Sequence, residues 1–330
     1  MPNPTARDIH VNGPLTNISI AFLQMADTFV AGKVFPTVGV SKQSDRYYIY
    51  ERGDFNRDEM QRRAPGTESA GGGYNLDNTP TYFAHVYAFH KDIPSQLRAN
   101  ADSVLQLDRE ATEFLAHKAM IRKERIFAES YLTPGVWTFD KPGVAAAPTG
   151  NEFLQWSDAA STPIEDIRAA ATEQQMETGF RPNTLVLTRT VLDVLIDHPD
   201  IVDRVRYGTQ SDVSTVDVSE LSKLWKIPRI YIMDAIVNTA DEGQTAVHEF
   251  IGGNTALLAY AAMSPGLMTP SAGYDFRWTG FLGSAGGMGT RMKKFRIDEL
   301  DSDRVEVEMA FDMKLVAQDM GTLFADAVAV

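Results

Sequence analysis

The sequence has no cysteine among its 330 residues. That excludes disulfides, thiol nucleophiles, iron–sulfur clusters and the common structural zinc sites, and it is compatible with a cytosolic origin. A long apolar run is also missing. The longest stretch, near 251–268, is broken by Gly252, Gly253, Asn254, Ser264 and Pro265, which is too interrupted to span a bilayer. The N-terminus, MPNPTARDIHVNGPL, lacks the basic start and apolar core of a signal peptide. The expectation is a soluble chain that stays where it is made and has no membrane partner. Basic residues are outnumbered 31 to 44, giving a net charge of −13. Phosphate repels such a chain, so sequence-independent binding to bare nucleic acid is disfavoured.

Catalytic patterns are absent too. The six histidines form no H-E-x-x-H and no i,i+4 pair on one helix, and His85 and His90 sit five apart on an expected strand, hence on opposite faces. The glycine-rich GSAGGMG at 283–289 lacks the G-K-[ST] ending and leads into a strand, not a helix that would hold phosphate. Asp298, Glu299, Asp301 and Asp303 lack the spacing and glycine of a calcium loop and read as a solvated turn. There is no G-x-S-x-G. No catalytic, cofactor-binding or metal residue is assigned, and the chain is expected not to be an enzyme.

What is present is an ordinary globular composition, 44% apolar and 23% charged, of a length for one large domain or two modest ones. Its charge is unevenly spread. Residues 1–130 carry 15 basic and 16 acidic side chains, while 131–330 carry 16 and 28, as if the two parts face different surroundings. Residues 1–40 read as an arm, punctuated by prolines, whose only periodic stretch is Ile18, Phe22, Met25 and Phe29. A helix of about a dozen residues is marginal in water, so this one must lie on its own domain or on a neighbour.

Residues 45–52 and 81–91 read as strands separated by about 28 residues, far more than a hairpin loop. That connection holds Arg57, Glu59, Arg62, Arg63, Glu68 and the run Gly71–Gly73. A long two-stranded extension fits it and cannot be stable alone, so it is expected to contact another chain through those charged residues. Residues 103–131 carry the strongest helical signal, with Leu107, Ala111, Phe114, Leu115 and Ile121 as an apolar stripe and a basic cluster of Lys118, Arg122, Lys123 and Arg125. A helix from Pro163 to Thr178, stopped by Gly179, then a strand at 184–188, short helices at 189–199 and 219–225, and strands at 229–234 and 256–261 mark 163–262 as an α/β subdomain. Strands at 274–280, 290–298 and 303–316 close the chain.

This order, together with VFPTVGVSKQSDRYYIYERGDF (34–55), APGTESAGGGYNLDNTPTYFAHVYAFHKDI (64–93) and RANADSVLQLDREAT (98–112), resembles the major capsid proteins of tailed double-stranded-DNA bacteriophages, with the Hong Kong 97-like fold. The resemblance implies an α+β fold divided into an N-terminal arm (1–40), an extended E-loop hairpin (41–93), a peripheral domain (94–162 and 263–330) with a spine helix at 103–131, and an axial domain (163–262). It implies self-assembly into hexamers and pentamers of an icosahedral head shell around packaged DNA that is held without tight or specific binding. Ile18, Phe22, Met25 and Phe29 would be subunit contacts of the arm, and Arg57, Glu59, Arg62, Arg63 and Glu68 those of the E-loop. A scaffold protein and a portal would assist assembly in the host cytoplasm, cementing proteins are a further partner, and the product is a virion. Some relatives carry a scaffolding segment of roughly a hundred residues ahead of the arm; without one here, either the scaffold is a separate protein or this is the cleaved form, and Met1 favours the separate protein. Some relatives join subunits through an E-loop lysine. Every basic residue in 43–90 is arginine, which cannot serve as the amine nucleophile, so no such crosslink is expected. An encapsulin-type compartment shell is the alternative of the same fold.

Overall fold

The computed structural model describes residues 23–329 apart from 102–104, 209–215, 267 and 284–288. Helices and strands are mixed, as the α+β expectation requires, and two sheets organise them. The first is built on β16 (Ser302–Leu315), the longest strand. β6 (His85–Pro94) pairs antiparallel with one edge of β16. Along the other edge β14 (Gly273–Trp278) and β15 (Thr290–Ile297) lie end to end, also antiparallel, and β1 (Thr37–Val40) adds to β14 in parallel. The three closing strands expected from the sequence are therefore all present. The second sheet runs β10 (Arg229–Met233), β9 (Thr184–Thr188), β13 (Ala256–Ala259), β17 (Gly321–Ala325), β7 (Phe139–Val144), β8 (Phe153–Leu154).

The long helix α3 (Leu107–Tyr131) lies across the first sheet. At ~1.5 Å per residue it is roughly 38 Å long. It starts four residues later than the expected 103, because Gln106 has non-helical dihedrals and Asp108 and Glu110 occupy the first turn, where the helix dipole favours carboxylates. Its buried stripe is Ala111, Leu115, Ala119, Glu124, Phe127 and Tyr131, packed on Val305, Val307, Met309 and Phe311 of β16. Ile121 is off that stripe, only partly buried, and a carboxylate is on it. Alternation puts Glu308 on the opposite face of β16, where it is buried under Arg291 and Lys293 of β15.

The second core lies between sheet two and the helices α4 (Pro163–Thr178), α5 (Arg189–Asp197), α6 (Pro199–Gly208) and α7 (Val218–Trp225). Helix α4 begins and ends as the sequence predicts, with Pro163 in its first turn and Gly179 left-handed at φ 79°. Helix α7 carries a capping box between Asp217 and Glu220. The region 163–262 is not self-contained, however. Strand β13 is buried on both flanks, and its outer partner β17, followed by β7 and β8, comes from beyond that span. Gly321 starts β17 because a Cβ there would lie 2.2 Å from the Trp137 ring.

The expected strands 45–52 and 81–91 are cut up. The extension is a ribbon of two short pairings, β2 (Ser44–Arg46) with β5 (Thr81–Phe83) and β3 (Ile49–Tyr50) with β4 (Leu76–Asp77), followed by a single helical turn α1 (Arg52–Phe55). Past Ala84 the returning strand leaves the ribbon and becomes β6, since its Tyr87 and Phe89 are drawn into the core under α3. A helix α2 (Ser95–Asn100) follows β6, α8 (Thr279–Leu282) follows β14, and β11 (Ile236–Asn238) with β12 (His248–Phe250) forms a separate hairpin.

Candidate subunit-interface surfaces

The extension leaves a run of its chain bare. Residues 60–79 are all exposed, and Met60 is 94% so. Three rings, Tyr50, Phe55 and Tyr74, meet at centroid distances of 5.5–5.9 Å and hold the neck of the ribbon together. Of the charged residues singled out in the sequence, the structure brings Arg57 and Glu59 together at 3.0 Å, and Arg57 also reaches Asp54 at 3.0 Å. These carboxylates are on its own chain, so Arg57 needs no partner next door. Arg63 donates from Nε to the Thr67 carbonyl, closing a tight turn. Arg62 and Glu68 are exposed.

The arm residues divide. Ile18 and Phe22 lie outside the described residues. Met25 is 78% exposed, whereas Phe29 is buried at 7%, edge-on to His117 at 5.9 Å. Phe29 therefore packs into the core of its own subunit. The cause is a pair of clamps between side chains and backbone that sequence reading missed. Gln24 donates from Nε2 to the Ile236 carbonyl and accepts the Ile236 N–H, both at 2.8 Å. Glu124 accepts the N–H groups of Val30 and Ala31 at 2.9–3.1 Å. No local pattern marks Glu124, which sits in the charged run Lys123-Glu124-Arg125. Burial pushes its carboxyl above the usual range, opposed by those two N–H groups. Next to it, Lys123 meets Asp275 at 3.0 Å in a nearly dry site that also holds Arg277.

The basic cluster on α3 has three fates. Lys123 is buried against Asp275, Arg125 pairs with Glu129 at 3.6 Å, and Lys118 and Arg122 rim a groove. That groove, about 490 Å³, runs along β6 with Val86, Phe89 and Met309 among its walls and no carboxylate in its lining. Lys118 and Lys91 both approach the Phe114 ring, and Arg122 lies 5.5 Å over Tyr87.

Nothing in the described residues assembles a reaction centre. Ser161 Oγ lies 3.0 Å from His198 Nε2, but both residues are buried. His198 Nδ1 accepts the Asp200 N–H, so in the neutral ring the proton sits on Nε2 and faces the serine, while the serine hydroxyl donates to the Asp158 carbonyl. The histidine therefore takes no proton from Ser161, and the pair ties the start of α4 to the α5–α6 junction. His85 and His90 lie on opposite faces of β6, and Asp301 and Asp303 are engaged by Arg296. Among the described residues no group of three or more His, Asp or Glu is placed to hold a metal ion, and no helix is long and apolar enough to cross a membrane.

Residues 154–283 match the family described as "Phage major capsid protein E". The chain is 26% identical over 321 residues to a major capsid protein of Pseudomonas phage JBD67, covering 97% of each chain. It is 22% identical to that of Burkholderia phage BcepMu, covering 82% of this chain and 84% of that one. In structure it is similar to a phage-related protein from Bordetella bronchiseptica RB50 (TM-score 0.69, 19% identity, 93% and 94% of the two chains). It is also similar to the mature capsid subunit of bacteriophage PhiM1 (TM-score 0.58, 12%, 96% and 92%). An encapsulin of Synechococcus elongatus PCC 7942 shares the fold at TM-score 0.51 and 11% identity, covering 95% and 93%. The resemblance read from segments within 34–112 and the fold it implied are both borne out, and the family match lies outside those segments, at 154–283.

Proposed function

We infer that this chain is a phage major capsid protein of the Hong Kong 97-like fold, a virion subunit that self-assembles to form the head shell. The observation that carries the reading on the molecule itself is the extension. Twenty consecutive residues, 60–79, are exposed on the subunit, including Met60, Tyr74 and Leu76, on a ribbon too thin to be stable alone. A head-to-tail ring of copies supplies the missing surface.

In that reading residues 1–40 are the arm, 41–93 the E-loop, and α3 the spine of a peripheral domain built on the first sheet. The second sheet with α4–α7 is the axial domain at the centre of hexamers and pentamers. Arg62, Glu68 and Met60 are among the E-loop groups exposed to meet a neighbour, and Met25 is among the exposed described residues of the arm. The groove rimmed by Lys118 and Arg122 suits the acidic and apolar side chains of an approaching copy. The subunit is structural and not an enzyme. A scaffold protein and a portal act during assembly in the host cytoplasm, cementing proteins are a further partner, and packaged DNA is enclosed without tight binding, as the net charge of −13 favours. The encapsulin reading has the fold on its side, but the matched relatives by sequence are phage capsid proteins. Electron microscopy of the purified chain, expressed alone and with a candidate scaffold, tests this. Closed shells or tubes are expected; monodisperse monomers under both conditions would contradict it.

A further inference from the structure

We propose that Arg52 is a strut that fixes the elevation of the extension on its own subunit and thereby helps set the curvature of the shell. The second half of this rests on the assembly reading above. The extension is held firmly at its base. Tyr82 stacks on Phe276 at 4.6 Å with the rings 11° apart, and the Phe83 N–H donates to Asp312 at 3.0 Å. Above the base it is a two-stranded ribbon whose strand pairing lapses between Arg46 and Ile49 and between Asp77 and Thr81, where the Tyr47 N–H to the Pro80 carbonyl, at 3.1 Å, links the two sides. A ribbon with no third strand is free to bend.

Past that interruption Arg52, the first residue of α1, reaches back to the body. Its Nη1 donates to Asp319 Oδ2 at 3.0 Å, and its Nη2 lies 3.9 Å from Glu177. Both anchors belong to the body of the subunit. Asp319 sits in the turn that leads into β17, and its other oxygen accepts the Thr138 hydroxyl at 2.6 Å. Glu177 is in the last turn of α4. The guanidinium thus ties the ribbon to both the second sheet and its covering helix, across 267 residues of sequence.

Half-exposed ion pairs contribute little to folding, but a strut acts on an angle. The exposed tip lies beyond Arg52 at the end of a lever, and in a head-to-tail assembly the rotation per contact decides whether and how the surface closes. The ion pairs therefore select one elevation before any neighbour is present.

The test uses the full chain as Arg52→Gln and, because Asn at 319 still accepts the Thr138 hydroxyl, Asp319→Asn as a second variant. In free subunits, amide exchange in 49–55 and 74–77 is expected to rise about threefold or more in either variant, while protection in α3 and β16 stays unchanged. In assembled material, wild-type shells of one diameter are expected to give way to several diameters or tubes. Unchanged exchange in both variants, or variant shells with the single wild-type diameter, would overturn the proposal. If the wild-type chain forms no shells, the assembly reading fails instead, and exchange in the free subunits still decides whether the strut exists.

Discussion

The buried carboxylate of Glu124 accepts the backbone N–H of Val30 at 3.0 Å, joining the middle of the long helix to a segment 94 residues earlier in the chain. The same carboxylate takes the N–H of Ala31, so one side chain satisfies two amides that water does not reach. Glu124→Ala leaves both unpaired and is expected to cost about 1–3 kcal/mol of subunit stability, read as a lowered urea midpoint with an unchanged slope.

Its titration gives a signed prediction. Burial raises the folded-state value above the usual 4.5, so the folded chain holds the proton more readily than the unfolded one. Glu124's contribution to stability is then fully present below pH 4.5 and lost as pH rises through the raised value. Compared with Glu124→Gln, the wild-type chain should lose relative stability as pH increases from about 4.5. Urea melts of both across pH 4–7 check this; a difference that is flat or grows with pH would contradict the assignment.

Phe29 and Met25, four residues apart, should behave oppositely. Phe29→Ala opens a cavity beside His117 and is expected to destabilise the subunit by about 3–5 kcal/mol. Met25→Ala removes an exposed side chain and should leave the subunit within about 0.5 kcal/mol while lowering the yield of shells. Thermal melts of the free subunits and particle counts by microscopy separate the two effects.

These two residues also show where sequence reading stops. Periodicity grouped Ile18, Phe22, Met25 and Phe29 as one stripe, but among its described residues, from Leu23 on, the segment forms a short turn at Ala26–Thr28, and backbone clamps from Gln24 and Glu124 decide that Phe29 is buried and Met25 is not. Elements with local signals were legible: the Pro163 start and Gly179 stop of α4, the apolar strands β9 and β13, and the alternation of β16. Pairings between distant segments were not. Nothing within TYFAHVYAFHK says that its first three residues pair with Ser44–Arg46 and those from His85 on with β16. Nothing in GTLFA says that it borders β13. Of the interface set, Arg57 looked free because its partners Asp54 and Glu59 are also on the extension.

Gly321 is expected to tolerate no side chain. A Cβ would lie 2.2–2.8 Å from three atoms of the Trp137 ring, and that ring is fixed by its Nε1 donating to the Tyr131 carbonyl at 2.7 Å. Gly321→Ala should cost about 1–3 kcal/mol through overpacking, with a shift in tryptophan emission before global unfolding. An unperturbed melt would mean that Trp137 moves freely.

Trypsin should distinguish free from assembled chain at Arg62–Arg63. Both residues are exposed on the subunit, so cleavage there is expected to be fast in free subunits and slow in shells, while sites within α3 stay protected in both. Equal rates at Arg62–Arg63 would mean that no neighbour covers the extension.

The central claim is that the extension is completed by another copy, and a reconstruction of assembled shells by electron cryo-microscopy tests it most directly. Residues 60–79 are expected to be ordered against an adjacent subunit, with Met60 buried there and Arg62 or Glu68 within 4 Å of an opposite charge on that subunit. Density placing 60–79 in solvent, or against its own subunit alone, would contradict it.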